Sequence, residues 1–168
     1  MTHGRALDQD PIEEARRQWA EHGWTDAAEG MAAVTSIFRA QQILLQRIDA
    51  VLRPLDLTFA RYEILTLLSF TRTGALPMTR MGALLQVHPT SVTSAVDRLE
   101  AQGLVERVAH PSDRRAVLAS ITDLGRERSL AATTALNCDV FERLGISSNQ
   151  TSQLRSVLRT LRANAGDF

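Results

Sequence analysis

The chain has 168 residues, 44% of them hydrophobic and 23% charged, which suits one globular domain or a domain with dimerising arms. Its 19 basic and 19 acidic residues cancel. That excludes a general electrostatic pull toward nucleic acid, so any such affinity must come from where individual arginines point.

In chain order, Asp10-Pro11-Ile12-Glu13-Glu14 opens a helix well. It offers a capping acid, a proline in the first turn and carboxylates at the positive end of the dipole. This helix is predicted to run through Ala20 or His22, with Gly23 breaking it. Trp19 and Trp24 are costly to leave in water and are expected to pack on something. A long helix follows from Thr25 or Asp26 to Leu52, where Pro54 stops it. Along it Val34, Ile37, Phe38, Leu44, Leu45, Ile48, Val51 and Leu52 recur at helical spacing, a stripe that suggests pairing with a partner chain. Thr58 is expected to cap a helix from Phe59 to Phe70 with Tyr62, Leu65 and Leu68 on its packed face. Thr71 to Pro77 reads as a loop. Thr79 to Leu85 reads as the first helix of a helix-turn-helix, and Gln86-Val87-His88 as its tight turn.

The segment His88–Ile121 reads HPTSVTSAVDRLEAQGLVERVAHPSDRRAVLASI. Pro89 suits a first helical turn. Val92, Val96 and Leu99 follow at i, i+4 and i+7, one helical face. Thr90, Ser94 and Asp97 lie opposite, flanked by Ser91, Thr93 and Arg98. A helix apolar on one side and lined with short hydroxyls on the other can lie in a major groove, where Ser and Thr bond to bases or phosphates. Gly103 ends it. Leu104 to Val108 and Ala116 to Ile121 then read as two short strands, a wing, joined by a loop too long for a two-residue turn. Arg114 and Arg115 stand near the loop's tip, suited to a narrow minor groove, and Asp113 is close enough to brace one of them. Taken singly, a Ser/Thr face or a two-arginine turn marks only a solvated surface. The order helix, Gly, strand, basic turn, strand is far more specific.

These residues resemble the winged helix-turn-helix core of the MarR (multiple antibiotic resistance regulator) family. The family's wing pattern, Asp-x-Arg followed by a strand and Thr-x-x-Gly, falls on Asp113, Arg115, Thr122 and Gly125. His110 stands where the family often has an acid. More loosely, the resemblance runs from about Ala33 onward, and the added helix with Trp19 is similar to that of the urate-responsive branch. The resemblance implies a dimer, and small-molecule pockets where dimerising helices meet the winged domain. For this chain that reading offers Trp19, Arg39, Gln42, Arg61, Tyr62 and His88. An aromatic plate beside guanidinium groups suits an anionic or aromatic organic effector, an acyl thioester included. Two alternatives stay open: the leading helix only enlarges a dimer interface, and Arg61 and Tyr62 are surface and core residues.

Beyond the wing, Thr122 is expected to cap a helix to about Leu144, with Leu130, Thr134, Cys138 and Phe141 along one side and Gly145 at its end. Ser147-x-x-Gln150 has capping-box spacing. Leu154, Val157, Leu158 and Leu161 then form an apolar stripe. Cys138, the one cysteine, cannot form an internal disulfide; it reads as a small packing residue, with a redox role as the alternative. His3, His22, His88, His110 and Cys138 show no metal-ligand spacing. Gly-rich phosphate loops, Gly-x-Ser-x-Gly and His-Glu-x-x-His are absent, so no catalytic residues, cofactor or metal are assigned.

The expected fold is mainly α with a small β-hairpin wing. Residues 1–55 are assigned to N-terminal dimerising helices, 56–122 to a winged helix-turn-helix and 123–168 to C-terminal dimerising helices, in one compact chain. The expected function is an effector-responsive DNA-binding repressor acting as a homodimer on a pseudo-palindromic duplex. Its DNA-binding residues are Thr90, Ser91, Thr93, Ser94, Arg98, Asp113, Arg114 and Arg115. The alternative is an architectural or partner-binding winged helix that senses nothing. With no apolar run near the roughly 20 residues of a membrane span and no secretion-signal core in the opening residues, a cytoplasmic location without a membrane partner is expected.

Overall fold

The computed structural model describes residues 8–110 and 117–168. The predicted wing-tip residues Asp113, Arg114 and Arg115 lie outside the described residues. The chain forms two compact units, residues 1–50 and 51–168.

In the first unit, helix α1 spans Pro11–Glu21, capped by the Asp10 carboxylate, which accepts from the Ile12 N–H. Gly23 turns the chain at φ 88°, a conformation that glycine adopts without a Cβ penalty. The two tryptophans meet at a tilt of 59°, with ring centroids 5.0 Å apart, and His22 stacks on Trp24 at 5.9 Å. Both indoles nevertheless remain exposed. Helix α2 spans Thr25–Leu52. Val34, Ile37, Phe38 and Leu45, four of its predicted stripe residues, are exposed.

In the second unit, a 3-10 turn at Arg53–Leu55 places Pro54 where its missing N–H costs nothing. Helix α3 spans Phe59–Ser69 and is capped by Thr58; it buries Tyr62, Ile64, Leu65 and Leu68. Helix α4 spans Met78–Leu85, and helix α5 spans Pro89–Ala101 with Val92, Val96 and Leu99 buried. The wing is three-stranded rather than two-stranded. Strands β1 (Ala75–Pro77), β2 (Val105–Ala109) and β3 (Val117–Ile121) are antiparallel in the order β1-β3-β2. Strand β1 lies where a loop is predicted. It pairs Leu76 with Ala119 and Pro77 with Leu118, and an edge position tolerates that proline. Three residues are too few to show a period-2 pattern, and for that reason the strand escapes sequence reading.

Helix α6 spans Asp123–Leu136 and passes into a π turn at Asn137–Phe141, ending sooner than predicted. Its buried face is Ser129, Ala132 and Leu136, continued by Val140 of the π turn. Leu130, Thr134, Cys138 and Phe141 are all exposed instead, so the expectation that Cys138 packs is corrected. Thr133 gives its only hydroxyl proton to the Ser129 carbonyl (2.8 Å), so the Tyr62 hydroxyl is the donor in its 3.2 Å bond to Thr133 Oγ1. Together with Thr66–Ser129 at 3.3 Å, this bond fastens α3 to α6. Helix α7 spans Ser148–Asn164, opens with the predicted capping box at Ser147 and Gln150, and buries none of its residues. No described helix is long and apolar enough to cross a membrane.

Candidate nucleic-acid interface

The recognition helix α5 is held from both ends. His88 is its N-cap, and its ring Nδ1 accepts from the Thr90 N–H at 3.3 Å. At the far end Gly103 takes φ 69°, and the Leu104 N–H reaches back to the Leu99 carbonyl at 2.9 Å. That closure is the glycine-terminated cap expected there. With Val92, Val96 and Leu99 in the core, Thr90, Ser91, Thr93, Ser94, Asp97 and Arg98 all remain exposed. The Thr93 hydroxyl donates to the Pro89 carbonyl at 3.1 Å, which leaves its methyl and a lone pair for contact.

Ser91, Ser94 and Arg98 line one edge of α5. Across an open groove of about 760 Å³ stand Asp56, Thr58 and Arg61. Arg61 Nε donates to Thr58 Oγ1 at 3.3 Å. Gln102 reaches across to Asp56, donating to its carbonyl at 3.0 Å and its carboxylate at 2.6 Å. The acid in the groove is thereby engaged, while two guanidinium groups and the side chains of four hydroxyl residues, Thr58, Thr90, Ser91 and Ser94, line the rest.

The opposite edge carries Asp97 and Glu100, which would repel phosphate. Arg107 of β2 donates to both carboxylates. Its pKa is raised above the ordinary arginine value, first by the hydrogen bond to Asp97. The pairing couples wing to helix and offsets one of the two adverse charges. Sequence reading missed it, because no local spacing links a strand arginine to acids seven and ten residues earlier.

The wing's base is locked by Thr122. Its hydroxyl donates to the Gly103 carbonyl at 2.8 Å and accepts from the Gly125 N–H at 3.0 Å. At Gly125 an added Cβ would lie 2.1 Å from the Leu104 carbonyl oxygen. The Thr-x-x-Gly pattern is therefore a requirement of close backbone approach.

The predicted effector residues are divided between the two units. Within the first unit, Arg39 donates to Gln42 Oε1 at 3.3 Å and Trp19 lies against Trp24. Within the second, Arg61 lines the groove beside α5, whereas neither Tyr62 nor His88 does. Tyr62 is buried and bonded to Thr133, and His88 is a cap. Among the described residues no group of three or more His, Cys, Asp or Glu could hold a metal ion.

Residues 57–117 match the model of the MarR family. The fold is similar to that of Sco5413, a MarR family transcriptional regulator from Streptomyces coelicolor. The two are 50% identical, with a TM-score of 0.76, over 83% of this chain and 97% of that one. The chain belongs to the MarR family. It is accordingly a DNA-binding transcriptional regulator and not an enzyme. The MarR fold is also shared with Sco3205 of the same organism, solved in complex with DNA (26% identity, TM-score 0.72, 82% and 88% of the two chains). CouR from Rhodococcus jostii RHA1, solved bound to p-coumaroyl-CoA, is likewise similar (26%, 0.65, 74% and 87%). CouR has also been solved as a transcriptional repressor on a 23-mer DNA duplex.

Proposed function

We propose that this MarR-family chain is a homodimeric cytoplasmic repressor of a pseudo-palindromic operator, released by a small anionic or aromatic organic molecule, acyl thioesters included. One observation carries the DNA half of this reading. The exposed edge of α5 presents Ser91, Ser94 and Arg98, while the helix's own acids are tied to Arg107. In this reading Thr90, Ser91, Thr93, Ser94 and Arg98 meet bases and phosphates in the major groove. Arg115 enters the minor groove, Asp113 steadies it, and Arg114 meets phosphate. The dimer is supported by Leu154, Val157 and Leu161 of α7, an apolar stripe left exposed at helical spacing. Two-fold symmetry then sets the two α5 helices roughly 34–36 Å apart, one turn of B-form DNA.

The effector half rests on the guanidinium groups of Arg39 and Arg61, the Trp19 ring, Gln42, Tyr62 and His88, and on the likeness to CouR. The added helix α1 carries the likeness to the urate-responsive branch. A duplex selected by the protein from a random pool tests the DNA half by gel shift. Arg98→Ala and Arg115→Ala are each expected to weaken binding at least tenfold without unfolding the chain; unchanged affinity would refute the assignment. Thermal shift with aromatic acids, purine acids and acyl thioesters tests the effector half. Stabilisation by the purine acids alone would favour the urate-responsive branch, and none by any anion would favour a ligand-independent architectural role.

A further inference from the structure

The chain does not run on straight past α7. Gly166 takes φ 72°, and the Asp167 N–H returns to the Arg162 carbonyl at 3.1 Å. The Asp167 carboxylate accepts from Arg162 Nε at 2.5 Å. The guanidinium groups of Arg159 and Arg162 lie 5.3 and 5.2 Å from the Phe168 ring centroid, within range of cation–π attraction. This folded-back end meets Gln86. Gln86 Nε2 donates to the Asp167 carbonyl at 2.7 Å, and Arg162 Nη2 donates to Gln86 Oε1 at 3.4 Å. Both ends of one side-chain amide are thus held by residues 81 and 76 positions further along the chain.

Gln86 is the pivot between α4 and α5. It is the C-cap of α4, with its N–H on the Gly82 carbonyl, and it sits at φ 54°, ψ 40°, a left-handed conformation that costs a non-glycine residue energy. Two residues later His88 caps the recognition helix. The angle at which α5 leaves α4 is therefore set at a strained residue whose side chain is anchored to the end of α7.

We propose that Gln86, clamped by Asp167 and Arg162, is a positioning residue for DNA recognition that passes the setting of α7 to the aim of α5. This goes beyond the DNA contacts assigned above and uses none of those side chains. Where α7 lies in a dimer interface, a shift of that helix reaches the reading head through this clamp. Exposed hydrogen bonds of this kind support an effect of about three- to tenfold in affinity.

The test uses the full chain and a duplex that it has selected from a random pool. Three variants are compared: Gln86→Ala, Gln86→Gly, and a chain ended at Ala165. Each is expected to bind three- to tenfold more weakly at unchanged oligomeric mass. Combining Gln86→Ala with the shortened chain is expected to add no further loss, since both remove the same clamp. Glycine suits the left-handed turn, so Gln86→Gly is expected to melt no lower than the parent while still losing affinity. Unaltered affinity in Gln86→Gly, or losses that multiply in the combined variant, would overturn the proposal. So would affinity that merely tracks melting temperature. Failure of the unaltered chain to select any duplex would refute the DNA reading and the clamp's role together, a result distinct from these.

Discussion

Gly125 shows how much one residue can decide. Its position against the Leu104 carbonyl leaves no room for a methyl group, and a clash with backbone cannot be relieved by a rotamer change. Gly125→Ala is expected to cost about 1–3 kcal/mol, measured by urea denaturation; a stability within error of the parent would contradict this. Glu63 illustrates a smaller effect of opposite sign. Partial burial pushes its carboxyl above the ordinary value, so the folded chain binds this proton more tightly than the unfolded one. Its contribution to stability is full below the unfolded pKa and is lost as pH rises through the folded pKa. Glu63→Gln is therefore expected to melt higher than the parent at neutral pH and level with it in acid, in a thermal scan across pH. Arg107→Met would leave Asp97 and Glu100 facing phosphate. It is expected to weaken DNA binding most at low salt, with the deficit shrinking as salt screens the repulsion. At this scale Thr122 was legible as a local helix cap, and Gly125 through the resemblance to the family's Thr-x-x-Gly pattern. Arg107 was not, because its partners are brought to it only by the turn at Gly103.

At the scale of elements, α1, α2, α5 and α7 could be read from caps and period because each carries three or more turns of pattern. Strand β1 could not, and neither could the π turn at Asn137–Phe141, which follows Leu136 without any breaker residue. That turn accompanies the shift of burial onto Val140 and leaves Phe141 and Cys138 outward. The candidate site was half legible. The hydroxyl edge of α5 followed from periodicity, whereas Thr58 and Arg61 joined it only through the packing of α3. Helix α7, with Val157 67% exposed, carries the dimer proposal. Val157→Asp is expected to raise the dimer dissociation constant at least tenfold, read by sedimentation equilibrium, since a charge would be buried without a partner. An unchanged dissociation constant would take α7 out of the interface.

At the scale of the molecule, a chain with zero net charge binds DNA only by geometry. Its acids must be engaged and its arginines aimed, as Asp56, Asp97 and Glu100 are engaged on α5's two flanks. The proposed binding mode therefore needs two copies of one reading head at the pitch of B-form DNA, and not a diffuse basic surface. Hydroxyl-radical footprinting on the selected duplex measures this directly. Two protected patches are expected, centred about 10 base pairs apart and both fading with Arg98→Ala. A single patch, or protection indifferent to Arg98, would contradict the account.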